Sequence, residues 1–99
     1  MTYTKIEIVV SDIYIERVVA LLEKVGVRGY TAVSITRGKG IKKGEQLTDG
    51  LLPTTHRSLL FSITTKEIAD LVLKECATYL DRIGAVLLMY GIDHVSGLK

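Results

Sequence analysis

Polar and apolar positions alternate over Lys5–Val10, with Ile6 and Ile8 on one side and Lys5, Glu7 and Val9 on the other. Period two in a β-branched run predicts a strand. Ser11 and Asp12 follow, both suited to capping a helix; with Asp12 as the cap, Glu16 falls in the first turn, where its charge suits the helix dipole. Between Ile13 and Val25 the apolar residues Ile15, Val18, Val19, Leu21, Leu22 and Val25 recur at spacings of three and four, which predicts an amphipathic helix. Gly26 supplies its stop. Tyr30–Thr36 reads as a second strand, and Arg57–Thr64 as a third with Leu59, Phe61 and Ile63 on one face. Thr64 or Thr65 caps a second helix, with Glu67 close to a capping-box position. Its apolar stripe runs through Ile68, Leu71, Val72, Cys76 (or Glu75), Tyr79 and Leu80, and Gly84 ends it. Ala85–Tyr90 is an unbroken apolar run of strand length, followed by Gly91.

The order is β-α-β-loop-β-α-β. Two βαβ halves with right-handed crossovers build a four-stranded antiparallel sheet with both helices on one face, a ferredoxin-like α+β domain spanning 1–99. Val9, Val10, Leu60, Val86 and Leu88 make the strands apolar on both sides. The face without helices is therefore expected to be covered by an oligomer.

Length and composition narrow the classes. The 99 residues suit one domain, and 47% hydrophobic with 24% charged residues is globular rather than disordered. A net charge of +2 is too balanced to argue for nucleic acid, and for base stacking the third strand offers only Phe61 and the second only Tyr30. Apolar runs such as Ala85–Tyr90 fall far short of the roughly 20 residues of a membrane span. The start Met-Thr-Tyr-Thr-Lys leads directly into the first strand, so no targeting peptide and a cytoplasmic location are expected. Cys76 is the single cysteine, set on an apolar stripe as a core residue, and no Cys/His group has zinc spacing.

Catalysis finds little support. His56 and His94 are the two histidines, no nucleophile is paired with a base at recognisable spacing, and the neighbours Asp93 and His94 would face opposite sides of a strand. A non-enzymatic role is expected. The feature that stands out is the stretch from Arg37 to His56, a flexible loop of about 20 residues, long for a small domain. Gly38 and Gly40 let backbone N–H groups approach an anion, while Arg37, Lys39, Lys42 and Lys43 supply positive charge. No Lys-Ser/Thr pair opens a helix after the glycines, so it is not a Walker A loop. On spacing alone, the same residues also suit a solvated hairpin.

Gly26-Val-Arg-Gly-Tyr-Thr31 followed by Val33-Ser-Ile-Thr-Arg-Gly-Lys-Gly-Ile-Lys-Lys-Gly44 resembles the signature of the PII signalling family, with one extra residue before Val33. Leu51-Leu52-Pro53 resembles the motif that returns that family's T-loop to the third strand, and the order of elements matches over the whole chain. The resemblance implies a homotrimer of ferredoxin-like subunits with adenine nucleotides in the clefts between them. Occupancy would shape the T-loop, which docks on a target protein such as a membrane transporter or an enzyme. It implies that Gly29 and Thr31 lie near the adenine and that Gly38 and Gly40 pass beside the phosphates, with Lys39 between them as a candidate ligand residue. Lys43 matches the family lysine, and Arg37 and Arg82 are further cationic candidates. No metal site, nucleic-acid partner or membrane insertion is expected.

The departures shape the expected ligand. Lys42 replaces the family glutamine that helps hold magnesium and 2-oxoglutarate, and Ile41 replaces the preceding arginine. No tyrosine lies between Arg37 and His56, and the phosphate-gripping B-loop is reduced to Arg82-Ile83-Gly84-Ala85. The C-terminal arginine pair of the family has no counterpart before Lys99. Each charge-assisted phosphate contact contributes roughly 1.5–3 kcal/mol, so the pattern disfavours ATP. It is closer to divergent PII-like proteins linked to bicarbonate transport or carboxysomes. The expected effector is ADP, AMP or a related adenine nucleotide, or bicarbonate. The alternative is a structural or metal-tolerance trimer of the CutA type, which the long glycine-rich loop disfavours.

Overall fold

The structure is a computed structural model that describes residues 2–37 and 56–98. Strand β1 (Tyr3–Ser11) leads through a short 3-10 turn (Asp12–Tyr14) into helix α1 (Ile15–Lys24). Strands β2 (Thr31–Ile35) and β3 (Arg57–Thr65) follow, then helix α2 (Lys66–Arg82) and strand β4 (Val86–Ile92). The sheet order is β2-β3-β1-β4, every neighbouring pair antiparallel. This is the ferredoxin-like arrangement that the alternation of periods two and 3.6 predicts.

The core lies between the sheet and the helices. Ile6, Ile8 and Val10 of β1 and Leu60 of β3 meet Val18 and Leu22 of α1 and Ala69, Val72, Cys76 and Leu80 of α2. Both helices end as expected, each on a glycine in the left-handed region: Gly26 at φ 112° and Gly84 at φ 78°. At each end the residue after the glycine donates back to the last turn, Val27 to the Leu22 carbonyl at 3.0 Å and Ala85 to Leu80 at 2.9 Å. The glycines donate to Glu23 and Asp81, completing the paired bonds of a Schellman motif.

Several local expectations change. Asp12 does not cap α1, which starts only at Ile15; its carboxylate accepts from Ser58 Oγ at 2.7 Å instead. Thr65, the second of the two candidate caps, does cap α2, accepting from the Ile68 N–H. Leu71 is exposed and the small Ala69 takes the buried place beside Val72. Gly91 lies inside β4 rather than after it, because pairing with β1 continues to Tyr3–Ile92.

The face of β3 with Leu59, Phe61 and Ile63 turns away from the helices. Ser58, Leu60, Ser62 and Thr64 face them. The outer face is ordered in rows: Val33, Leu59, Val9 and Val86 lie side by side, and next to them Thr31, Phe61, Glu7 and Leu88. Val33, Val86, Leu88 and Tyr90 on it are each 45–50% exposed.

Candidate functional site

The fold brings three chain segments to one end of the sheet. Ile35 at the end of β2 lies opposite Arg57 at the start of β3, and Arg57 lies opposite Ser11 at the end of β1. The Asp12 N–H donates to the His56 carbonyl at 2.8 Å, and the Ser58–Asp12 bond ties the same corner. Arg57 shares a face with Leu59 and reaches past β1, where Nη2 donates to the Gly84 carbonyl at 3.3 Å. Its Nε is buried and has no hydrogen-bond partner among the described residues. The end of β2, the start of β3 and the turn from α2 to β4 therefore converge at the chain positions that flank residues 38–55.

Of the residues singled out in the sequence, Arg37 and Arg82 belong to this end, both exposed, Arg37 two residues after Ile35 and Arg82 two before Gly84. Gly38, Lys39, Gly40 and Lys43 lie outside the described residues. Gly29 and Thr31 lie at the far end of β2, with Thr31 opposite Phe61. From Thr31 to Arg37 an extended chain runs about 20 Å, so no single point unites them. Gly29 borders a shallow apolar cleft with Val19, Leu22, Glu23, Val27 and Tyr30. A Cβ at Gly29 would meet nothing within 4 Å, and its carbonyl accepts from Ser62 Oγ.

Arg57 is the residue that the sequence reading passed over. The signal was present: an arginine in the first position of a strand, directly after the cationic loop, on a face otherwise apolar. The guanidinium of Arg57, with Arg37 and Arg82 nearby in the chain, gives this end chemistry suited to an anion, while the Asp12 carboxylate is engaged by Ser58. Among the described residues no three His, Cys, Asp or Glu side chains cluster to hold a metal ion, and no helix is long and apolar enough to cross a membrane.

Two further groups are electrostatically set apart. On the outer sheet face Lys5 Nζ pairs with Glu7 Oε2 at 3.2 Å, and Tyr90 donates its hydroxyl to the same oxygen at 2.6 Å. The Tyr90 hydrogen bond first, and Lys5 after it, hold the Glu7 carboxyl below its ordinary value; the bond to Glu7 raises both the lysine and the tyrosine. In the core, burial pushes the Cys76 thiol up, which suits packing and not nucleophilic chemistry.

A four-stranded antiparallel sheet with two helices, carrying Arg57 at one end, defines a ferredoxin-like α+β module. The profile of the Nitrogen regulatory protein P-II family matches residues 3–95, and the chain belongs to that family. Among solved structures it is similar to CPII from Thiomonas intermedia K12 bound to ADP and bicarbonate, at 22% identity and a TM-score of 0.73, covering 93% of this chain and 87% of that one. The same protein bound to ADP, AMP and bicarbonate gives 21% identity and 0.73 over the same shares. GlnK of B. subtilis gives 18% and 0.59, covering 94% and 87%. No curated protein matches the chain in sequence.

Proposed function

We propose that this chain is a trimeric, non-enzymatic signal-transduction protein that senses an adenine nucleotide or bicarbonate in clefts between subunits. It acts as one domain over 1–99 in the cytoplasm, and the loop over 37–56 carries occupancy to a target protein such as a transporter or an enzyme. The observation that carries this reading is the cationic sheet end, where Arg57 is fixed at the base of the loop and Arg37 and Arg82 flank it. Family membership supports it, as does the fact that CPII binds ADP, AMP and bicarbonate. Gly29 and Thr31 serve the base end of the ligand, and Arg37, Gly38, Lys39, Gly40, Lys43, Arg57 and Arg82 the anionic end.

ADP or AMP is preferred to ATP in this reading. Arg82-Ile83-Gly84-Ala85 carries Ala85 where the family resemblance expects a lysine, so a distal phosphate lacks contacts of roughly 1.5–3 kcal/mol each, about 10- to 150-fold in affinity. Calorimetry with AMP, ADP, ATP, cyclic AMP, cyclic di-AMP and bicarbonate tests this, together with a mass measurement in solution. Binding of ADP or AMP at least tenfold tighter than ATP, by a species of three chains, is the expected result. Silence across the panel overturns the sensing role.

A further inference from the structure

The outer face of the sheet combines two properties that seldom occur together. It is apolar and open, with Val33, Val86, Leu88 and Tyr90 each about half exposed, whereas monomers rarely leave a contiguous apolar face uncovered. At its centre, on the inner strand β1, it also carries a lysine and a carboxylate two residues apart. Their side chains keep 25% and 19% of their exposure, so both still reach the surface.

The two charges are satisfied only in part. Lys5 and Tyr90 both bond to Glu7 Oε2, and Oε1 has no partner among the described residues. The Lys5 ammonium, 4.4 Å from the Phe61 ring centroid, has three donors. Burying such a face against an apolar partner would strand a donor and an acceptor side by side. A lipid surface would be met by unpaired cations, and this lysine is neutralised. A surface that offers one positive and one negative group a strand step apart suits a copy of itself: rotation about a ring axis sets the lysine of one copy against the carboxylate of the next.

We propose that, where copies of the chain cover this face, Lys5 of one copy pairs with Glu7 Oε1 of the next and fixes the register of the assembly. This rests on the reading above that copies of the chain assemble. Around a closed ring the contact repeats head to tail, each copy giving one lysine and receiving one carboxylate. The apolar residues then supply adhesion, and the charge pair rejects slipped arrangements that leave like charges facing.

A chain with the pair reversed, Lys5→Glu with Glu7→Lys, tests this by native mass spectrometry after isotope-labelled wild type and reversed chain are mixed and allowed to exchange. Each alone keeps the internal pair and the complementary contact, so each forms an assembly of the same stoichiometry. Mixed assemblies set like charges against each other at every contact between unlike chains, and are expected at least tenfold below the statistical share. Statistical mixing overturns the pairing while leaving the assembly intact. Wild type that remains a single chain at about 100 µM, a concentration at which even weak specific contacts are populated, overturns the assembly reading itself, and the pairing with it. If the reversed chain does not fold, Glu7→Gln serves: with unchanged circular dichroism, its assembly is expected to dissociate at concentrations at least tenfold higher. Dissociation at the wild-type concentration overturns the proposal.

Discussion

Gly29→Ala separates what this glycine does for folding from what it does for binding. Two effects make a glycine indispensable to a fold, a left-handed backbone and a crowded Cβ position, and Gly29 has neither. Its φ is not positive, and an added Cβ would meet nothing within 4 Å. The substitution is therefore expected to change stability by no more than about 0.5 kcal/mol, or to add a little by restricting the unfolded chain. Gly84→Ala is the matched control. Its added Cβ is equally free of neighbours, but φ is 78°, so only the backbone penalty of about 1–2 kcal/mol applies. In a domain of this size each kcal/mol lowers the melting temperature by roughly 4–8 °C. Thermal unfolding at fixed protein concentration should place Gly29→Ala within a few degrees of wild type and Gly84→Ala clearly below it. In calorimetry with ADP the Gly29 variant should weaken. A methyl forced into a tight contact costs about 1–3 kcal/mol, or roughly 5- to 150-fold in dissociation constant. A Gly29→Ala protein that melts normally and binds ADP like wild type refutes the placement of a ligand against Gly29. One that melts as low as Gly84→Ala refutes the conformational argument.

Three other outcomes follow from the packing and charge. Leu80→Ala removes a side chain that is 2% exposed in the core, and should cost about 2–5 kcal/mol in urea unfolding; a loss below about 1 kcal/mol, outside the range for a buried leucine, would mean that the helix does not seat there. The buried, upshifted Cys76 thiol should react with a thiol reagent only as fast as the domain opens, so a burst of reaction in native buffer would contradict its place in the core. Because the Glu7 pKa is lowered from 4.5, chiefly by the Tyr90 hydrogen bond, its contribution is present above the ordinary carboxylate value and lost as the pH falls through the lowered one. Unfolding midpoints measured from about pH 7 to about pH 3, a span that brackets ordinary carboxylate titration, should fall less steeply in Glu7→Gln than in wild type, and identical slopes would count against the pairing.

The elements were legible because their signals are local. Alternation fixes β1, a three-and-four spacing fixes α1, and the glycines at 26 and 84 stop both helices where only a left-handed residue fits. What could not be read was settled by distant partners. Asp12 looks like a helix cap within its own segment, yet Ser58, 46 residues away, claims its carboxylate. Ser62 turns inward because the Gly29 carbonyl, 33 residues away, accepts its hydroxyl. Those two bonds let a mostly polar side of β3 face the helices, and no periodicity within β3 announces them. Leu71 reads as core on hydrophobicity, but the position beside the sheet belongs to Ala69.

The candidate site divides along the same line. Lys39, Lys42 and Lys43 announce themselves by being contiguous with glycines, so composition alone draws attention to the loop. Arg57 is a single cation in an apolar strand, and it acquires meaning only when antiparallel pairing sets it beside the end of β2 and its side chain crosses β1 to the Gly84 carbonyl. The difference bears on how the proposed sensing would work. Under the proposed function, a lysine of the 38–55 segment would contribute to anion binding only where that segment brings it to the ligand, so its contribution would depend on the state being sensed. An arginine anchored in the sheet offers its guanidinium in every state and so sets affinity without biasing the loop. In the proposed reading, with Lys42 and Ala85 standing where the family resemblance implies a glutamine and a lysine, the fixed share of the grip would fall on Arg57. Arg57→Gln should therefore weaken anion binding whatever the loop does, whereas Lys39→Gln should change how binding couples to the target.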